Sequence, residues 1–226
     1  MDGFDVSFLQ EGLLFFLVLV SSLCVHEWAH AWTADRLGDP TPHNEGRVTL
    51  NPLPHIDLLG TIIFPLFCIF MLKGGFFFGW AKPAPVDARH FKHPGRGDVI
   101  TTVAGPLSNL AVAALAAVVG GLCYRFWPHD LGLPRERVAY LVGLIIRVNA
   151  WLFVFNMLPL PPLDGGRILR YVINMSWETF ARISQWSMLI ILGAIYLVPG
   201  FSAVLSRLIQ LTEIPALLVF ALSAGG

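Results

Sequence analysis

Long apolar runs, separated by short stretches rich in proline, glycine and basic residues, set the pattern of this chain. The runs at residues 12–34, 99–124 and 138–158 are each long enough for a helix to cross a bilayer, which takes about 20 residues. Residues 180–198 can span as well. The run at 201–224 has the length but carries Arg207, Glu213 and Pro215, so it reads as a sixth segment that is kinked, interfacial or completed by its neighbours. Residues 58–72 number only 15 and contain Pro65, which suits a re-entrant segment better than a crossing. The predicted fold is all-α and integral to the membrane, a bundle of about five to six transmembrane helices. It forms one domain over residues 1–226, with a core at about 12–170 and C-terminal helices at about 171–226.

Composition agrees: 55% of residues are hydrophobic and only 13% charged, with a mean hydropathy of +0.66. Lys plus Arg balances Asp plus Glu at 15 each and no basic stripe occurs, so no nucleic-acid partner is expected. Local charge says more. The first run is preceded by Asp2, Asp5 and Glu11, unlike the basic start of a signal peptide, so it is expected to be retained. It is followed by Arg36 and Arg47, which favours a cytoplasmic exit. Cys24, Cys68 and Cys123 are scattered through apolar runs without C-x-x-C spacing and read as packing residues.

One polar group is out of place in this pattern. Between residues 12 and 34 the only formally charged side chain is Glu27, within His26-Glu27-Trp28-Ala29-His30. On a helix His26 and His30 lie within roughly 40° of each other, close enough to share one metal ion, with Glu27 beside it. This is the H-E-x-x-H pattern of zinc peptidases, in which the carboxylate takes a proton from an activated water. The alternative, histidines merely hydrogen-bonded in a helix, is weakened by the cost of holding such groups in an apolar span.

Elsewhere the candidates are weaker. Leu37-Gly38-Asp39-Pro40 stops the first helix, and the loop beyond it accommodates a short strand at residues 47–50. His43 and His55 in that loop read as exposed rather than as ligands. Residues 73–86, with Gly79-Trp80-Ala81-Lys82-Pro83-Ala84-Pro85-Val86, suggest extended backbone dipping into the membrane as a β-like loop, or equally an aromatic anchor at its surface. Ala104-Gly105-Pro106-Leu107-Ser108-Asn109 combines small residues that permit close helix packing with an asparagine whose plainest role is an interhelical hydrogen bond. Arg147, Asn149 and Asn156 interrupt the 138–158 run, and Arg147 needs a partner or a hydrated cavity. After it, Pro159, Pro161 and Pro162 end the helix ahead of Asp164-Gly165-Gly166. Asp164 either completes a His₂-Asp metal set or caps a helix starting near Gly165.

The pairing of HEWAH with NMLPLPPLDGG, with GWAKPAPV and AGPLSN between them, resembles the site-2 protease family of intramembrane zinc metalloproteases. The resemblance covers roughly residues 12–170, and no PDZ or CBS domain is expected in the chain. It implies one zinc ion per chain held by His26, His30 and Asp164, with Glu27 as general base and Asn156 helping to position or polarise the scissile carbonyl. It implies further that the GWAKPAPV region, including Trp80, Lys82 and Pro83, and also Asn109, meet an extended substrate. The expected activity is hydrolysis of peptide bonds in or near transmembrane segments of protein substrates surrounded by lipid. The expected location is the cell (inner) membrane, multi-pass, with the site toward the cytoplasm. A membrane zinc-binding or transport protein would use the same ligands, but would need more ionisable groups along a path. A silent binder of membrane helices would have little reason to keep Glu27.

Parity adds a constraint. If His30 and Asp164 serve one metal, an even number of crossings separates them, so one of the runs at 58–72, 99–124 and 138–158 does not cross. The short, proline-bearing run is the candidate.

Overall fold

In a computed structural model of the protein the described residues are 6–71, 79–128 and 134–225; for Val6, Ser7, Met188, Leu192 and Tyr196 this applies to the backbone alone. Among the described residues the protein is helical, without strands. Four helices among the described residues are long and apolar enough to cross a membrane: residues 8–36, Pro94–Arg125, Arg135–Asn156 and Phe201–Ala224. The protein is a multi-pass membrane protein. Five to six spans were expected; the run expected at 180–198 is helical, within Trp177–Leu197. The chain divides into two compact units, residues 1–105 and 106–226.

The first unit is built on α1 (Val6–Arg36), 31 residues long. Its stop signal works as the sequence predicts. Gly38 takes φ 102°, and the Asp39 amide donates to the Ala34 carbonyl at 3.0 Å. A one-turn helix, α2 (Thr41–Asn44), follows. Residues 48–50 are bends, not the expected strand. Asp57 then opens a π-helical turn, Leu58–Ile63, accepting from the Gly60 amide at 2.7 Å. The turn continues as α3 (Phe64–Met71). Leu58–Met71 is an apolar helix too short to be counted among the spans. Residues 79–87 form a strap without regular secondary structure, so the β-like reading finds no strand at 79–86, and its 73–78 part lies outside the described residues. The unit ends in the first turns of α4 (Pro94–Arg125).

Asp39 closes the path from α1 to the strap. Its carboxylate is fully buried. It accepts from Thr41 through the amide at 3.0 Å and the hydroxyl at 2.6 Å, and from the Asp87 amide at 2.7 Å. His90 Nδ1 completes the shell at 3.0 Å. The segment holding α3 therefore leaves and returns beside the same end of α1.

The second unit contains the rest of α4 and α5 (Arg135–Asn156), α6 (Asp164–Val172), α7 (Trp177–Leu197) and α8 (Phe201–Ala224). Its core joins Ala113 and Ala117 of α4, Val142 and Ile146 of α5 and Ala216 of α8. Alanines on two of these faces bring helix backbones close enough for dispersion to hold them where lipid offers no hydrophobic drive. Asn109 and Asn149, both fully buried, bond across α4 and α5 at 2.9 Å. The partner that Arg147 requires is Glu213 of α8, with Nε and Oε1 3.8 Å apart. Cys24 and Cys68 are buried as expected, but Cys123 is exposed.

Two outcomes follow. Burial pushes the Asp39 pKa up, but the hydrogen bonds from Thr41, the Asp87 amide and His90 outweigh it and hold the carboxyl below its ordinary value. A depressed pKa contributes stability that is full above the unfolded value near 3.9 and is lost as pH falls through the folded one. Thermal melts in detergent across pH 2–7 should show a wild-type advantage over Asp39→Asn at neutral pH that shrinks on acidification below about pH 4. Separately, Asn44→Cys and Arg89→Cys, each placed in a background without Cys24, Cys68 and Cys123, should be labelled by a membrane-impermeant thiol reagent from the same face. Labelling from opposite faces would make Leu58–Met71 part of a true crossing.

Candidate metal centre and catalytic site

The three candidate site residues of the first helix are all buried: His26 is 3%, Glu27 8% and His30 7% exposed. Helical spacing brings the imidazoles together with Nε2 atoms 3.0 Å apart and rings nearly perpendicular, at 86°. The other ring nitrogen of His30, Nδ1, lies 2.7 Å from the Thr101 carbonyl of α4. A carbonyl only accepts, so Nδ1 carries the proton and the Nε2 lone pair is directed toward His26. This is the arrangement that orients a metal-bound histidine. Two nitrogens at about 2.05 Å from a tetrahedral zinc are about 3.3 Å apart, close to the spacing found, so the pair fits that ion.

Gly105 completes this cradle. An added Cβ there would overlap His30 Nε2 and Cε1 and approach His26 Cε1 to 2.8 Å. Only hydrogen can face the imidazoles at this point of α4.

Glu27 is held differently. Its Oε2 accepts from the Ala84 amide of the strap at 2.8 Å.

In the second unit Asp164 is the first residue of α6 and is 8% exposed. Leu163 occupies the N-cap position, so Asp164 is not the cap. An anionic side chain is favoured in this first turn by the helix dipole. The glycines after it have a steric reason: a Cβ on Gly165 would strike the Met157 and Leu158 carbonyls, and one on Gly166 the backbone of Leu160 and Pro161. The proline-rich turn thus lies directly against the start of α6. His26, His30 and Asp164 are buried residues that each offer one ligand atom.

The sequence pattern of Peptidase family M50 matches residues 131–198, which contain α5, the turn, Asp164, α6 and α7. The chain is 39% identical over 157 residues to the Bacillus subtilis protein "Putative zinc metalloprotease YwhC", covering 70% of this chain and 68% of that one. The chain belongs to peptidase family M50. It is also 34% identical over 182 residues to "Putative zinc metalloprotease Rip2" of Mycolicibacterium smegmatis, covering 79% of this chain and 66% of the relative. A Mycobacterium tuberculosis protein of the same name is 27% identical over 179 residues, covering 79% and 64%. The chain thus spans about two thirds of the length of these relatives. No solved structure matches it.

The remaining residues expected to act in this M50 chain are placed as follows. Asn156 closes α5 and donates to the Leu152 carbonyl at 2.9 Å. Asn109 makes the interhelical bond described above. Trp80 packs its ring near Phe64, with centroids 5.8 Å apart, and fills the space over Gly60. Lys82 and Pro83 have exposed side chains while their carbonyls accept from Arg47 at 2.9 and 2.5 Å. His55, expected to be exposed, is 2% exposed, with Nε2 against the Thr49 carbonyl at 2.9 Å; its own carbonyl accepts from the Lys82 amide. Sequence reasoning missed Thr101, Gly105, Arg47 and Ala84. Only Gly105 left a signal, as one of the small residues of the A-G-P-L-S-N stretch.

Gly105→Ala should therefore weaken zinc binding by about 10- to 100-fold, the usual effect of disturbing groups that orient ligands. Zinc stoichiometry of purified protein, measured with circular dichroism to confirm helicity, reads this. Gly143→Ala is the control, since nothing lies within 4 Å of a Cβ there.

Proposed function

We propose that the protein is an intramembrane zinc endopeptidase that hydrolyses peptide bonds in or near transmembrane segments of membrane proteins. The observation that carries this reading is the buried His26, Glu27 and His30 constellation on a helix apolar enough to span a membrane. His26 and His30 hold one zinc ion and Asp164 supplies the third ligand. When bound, zinc supplies Lewis acidity to the scissile carbonyl and to the attacking water. Glu27 takes a proton from that water and returns it to the leaving nitrogen. Thr101 keeps His30 in the tautomer whose Nε2 can ligate. Asn156, at the end of α5, donates to the carbonyl oxygen as charge develops there. Trp80, Lys82 and Pro83 line the approach of the substrate chain, whereas Asn109 acts through Asn149 as a strut between α4 and α5. The site faces the cytoplasm of a cell membrane, and lipid surrounds the spans.

Glu27→Gln should retain zinc and lose peptidase activity, because the ligands remain while the base does not. Metal analysis beside a cleavage assay on single-span substrates tests this, and turnover in a clean Glu27→Gln preparation would sink the mechanism. Asp164→Cys should place a sulfur about 2.3 Å from zinc by X-ray absorption. A sphere of nitrogen and oxygen alone would remove Asp164 from the ligand set. Zinc bound without any cleavage of membrane substrates would favour a binding or transport protein.

A further inference from the structure

The strap alternates in a way that points at the site. Along extended backbone successive residues turn to opposite sides, so residues 80, 82 and 84 share one. The Trp80 amide donates to the Gly60 carbonyl at 3.1 Å, and the Lys82 amide to the His55 carbonyl at 2.9 Å. The Trp80 carbonyl accepts from the Thr61 hydroxyl at 2.8 Å. The third amide of this side, that of Ala84, meets no carbonyl; it donates to Glu27 Oε2. A main-chain donor held by its neighbours on both sides is a better-fixed partner than a side chain with rotamers of its own.

The fixing group is Arg47. Its residue is 3% exposed and its guanidinium donates to the carbonyls of Pro54, Lys82 and Pro83. Among the described residues no carboxylate pairs with it. A buried cation solvated by carbonyls alone is expensive, and charge-assisted bonds to two successive strap carbonyls are what it gains in return. These carbonyls belong to the two residues just before Ala84. Pro83 and Pro85 flank the donor and restrict the backbone on either side of it.

We propose that the Ala84 amide, clamped through the strap by Arg47, is the positioning donor for the Glu27 carboxylate. It fixes one carboxylate oxygen so that the other is presented to the attacking water. Arg47 is a positioning residue and touches no reacting atom. This rests on Glu27 acting as the general base.

The test uses full-length zinc-loaded protein in detergent, with ¹⁵N-alanine labelling. In the wild type the Ala84 amide proton should resonate downfield and exchange slowly, and both features should be lost in Glu27→Ala. An Ala84 resonance indifferent to Glu27→Ala would overturn the proposal whatever the activity. Arg47→Lys, which keeps the charge but not the planar fork, should shift the same resonance, retain zinc and lower kcat by about 10- to 100-fold. KM for a single-span substrate should change less than twofold. A shifted resonance with unchanged kcat would overturn the positioning role, as would a fall carried by KM or by zinc loss. If Arg47→Lys does not fold, replacing Ala84 by lactic acid removes the N–H and leaves the side chain. That ester should show the same fall in kcat with zinc retained, and unchanged kcat would overturn the proposal. Glu27→Gln that still turns over would refute the general-base reading instead, while the amide resonance would continue to report the hydrogen bond.

Discussion

Placing ionisable groups inside an apolar helix is the constraint on which the first unit depends. Two imidazoles and a carboxylate on α1 are costly there unless each polar atom has a defined use. The Thr101 carbonyl serves His30 and the Ala84 amide serves Glu27, and in both cases the partner is main chain. Backbone donors and acceptors bring no charge of their own. They orient the groups without competing as metal ligands or titrating. The cost is that the chain must be brought back to α1 twice, once as the strap and once as α4. Asp39 makes this return possible, because its buried carboxylate gathers the Asp87 amide and His90 to the end of α1.

How much of this was legible follows from how far each interaction reaches along the chain. The histidine pair on α1, its stop at Gly38 and the short apolar segment with Pro65 are local properties of spacing, turn chemistry and length, and they were readable. The strap's contacts were not, since a backbone amide has the same appearance at every residue. Arg47 illustrates the difference. By sequence it counted as a topological charge beyond a span, whereas the structure buries its guanidinium among three carbonyls. His55 was misjudged for a related reason. Neighbouring prolines suggested an open loop, yet the loop folds over the imidazole.

The second unit shows the same limit with a different resolution. An arginine inside a span announces that a partner exists without saying where, and Glu213 lies on α8, three helices further on. Asn109 announced an interhelical bond and makes one. These polar ties do what apolar packing alone cannot do in lipid, namely fix which faces of α4, α5 and α8 meet. Small residues at 113, 117 and 216 then let those faces approach.

Asp164 brings both lessons together. Its residue type made it a candidate ligand, and the same letter could equally have been a helix cap. The cap reading fails on the position of the helix start, one residue earlier than a cap would require. At that position the main chain does not need the aspartate to terminate it, and the glycines behind it exist because the proline turn occupies the space their side chains would fill. A turn that rigid fixes where the carboxylate emerges. A metal ligand at this position would need this, because a metal site tolerates only small displacements of its donors, and a flexible loop would lose in entropy what the bond gains.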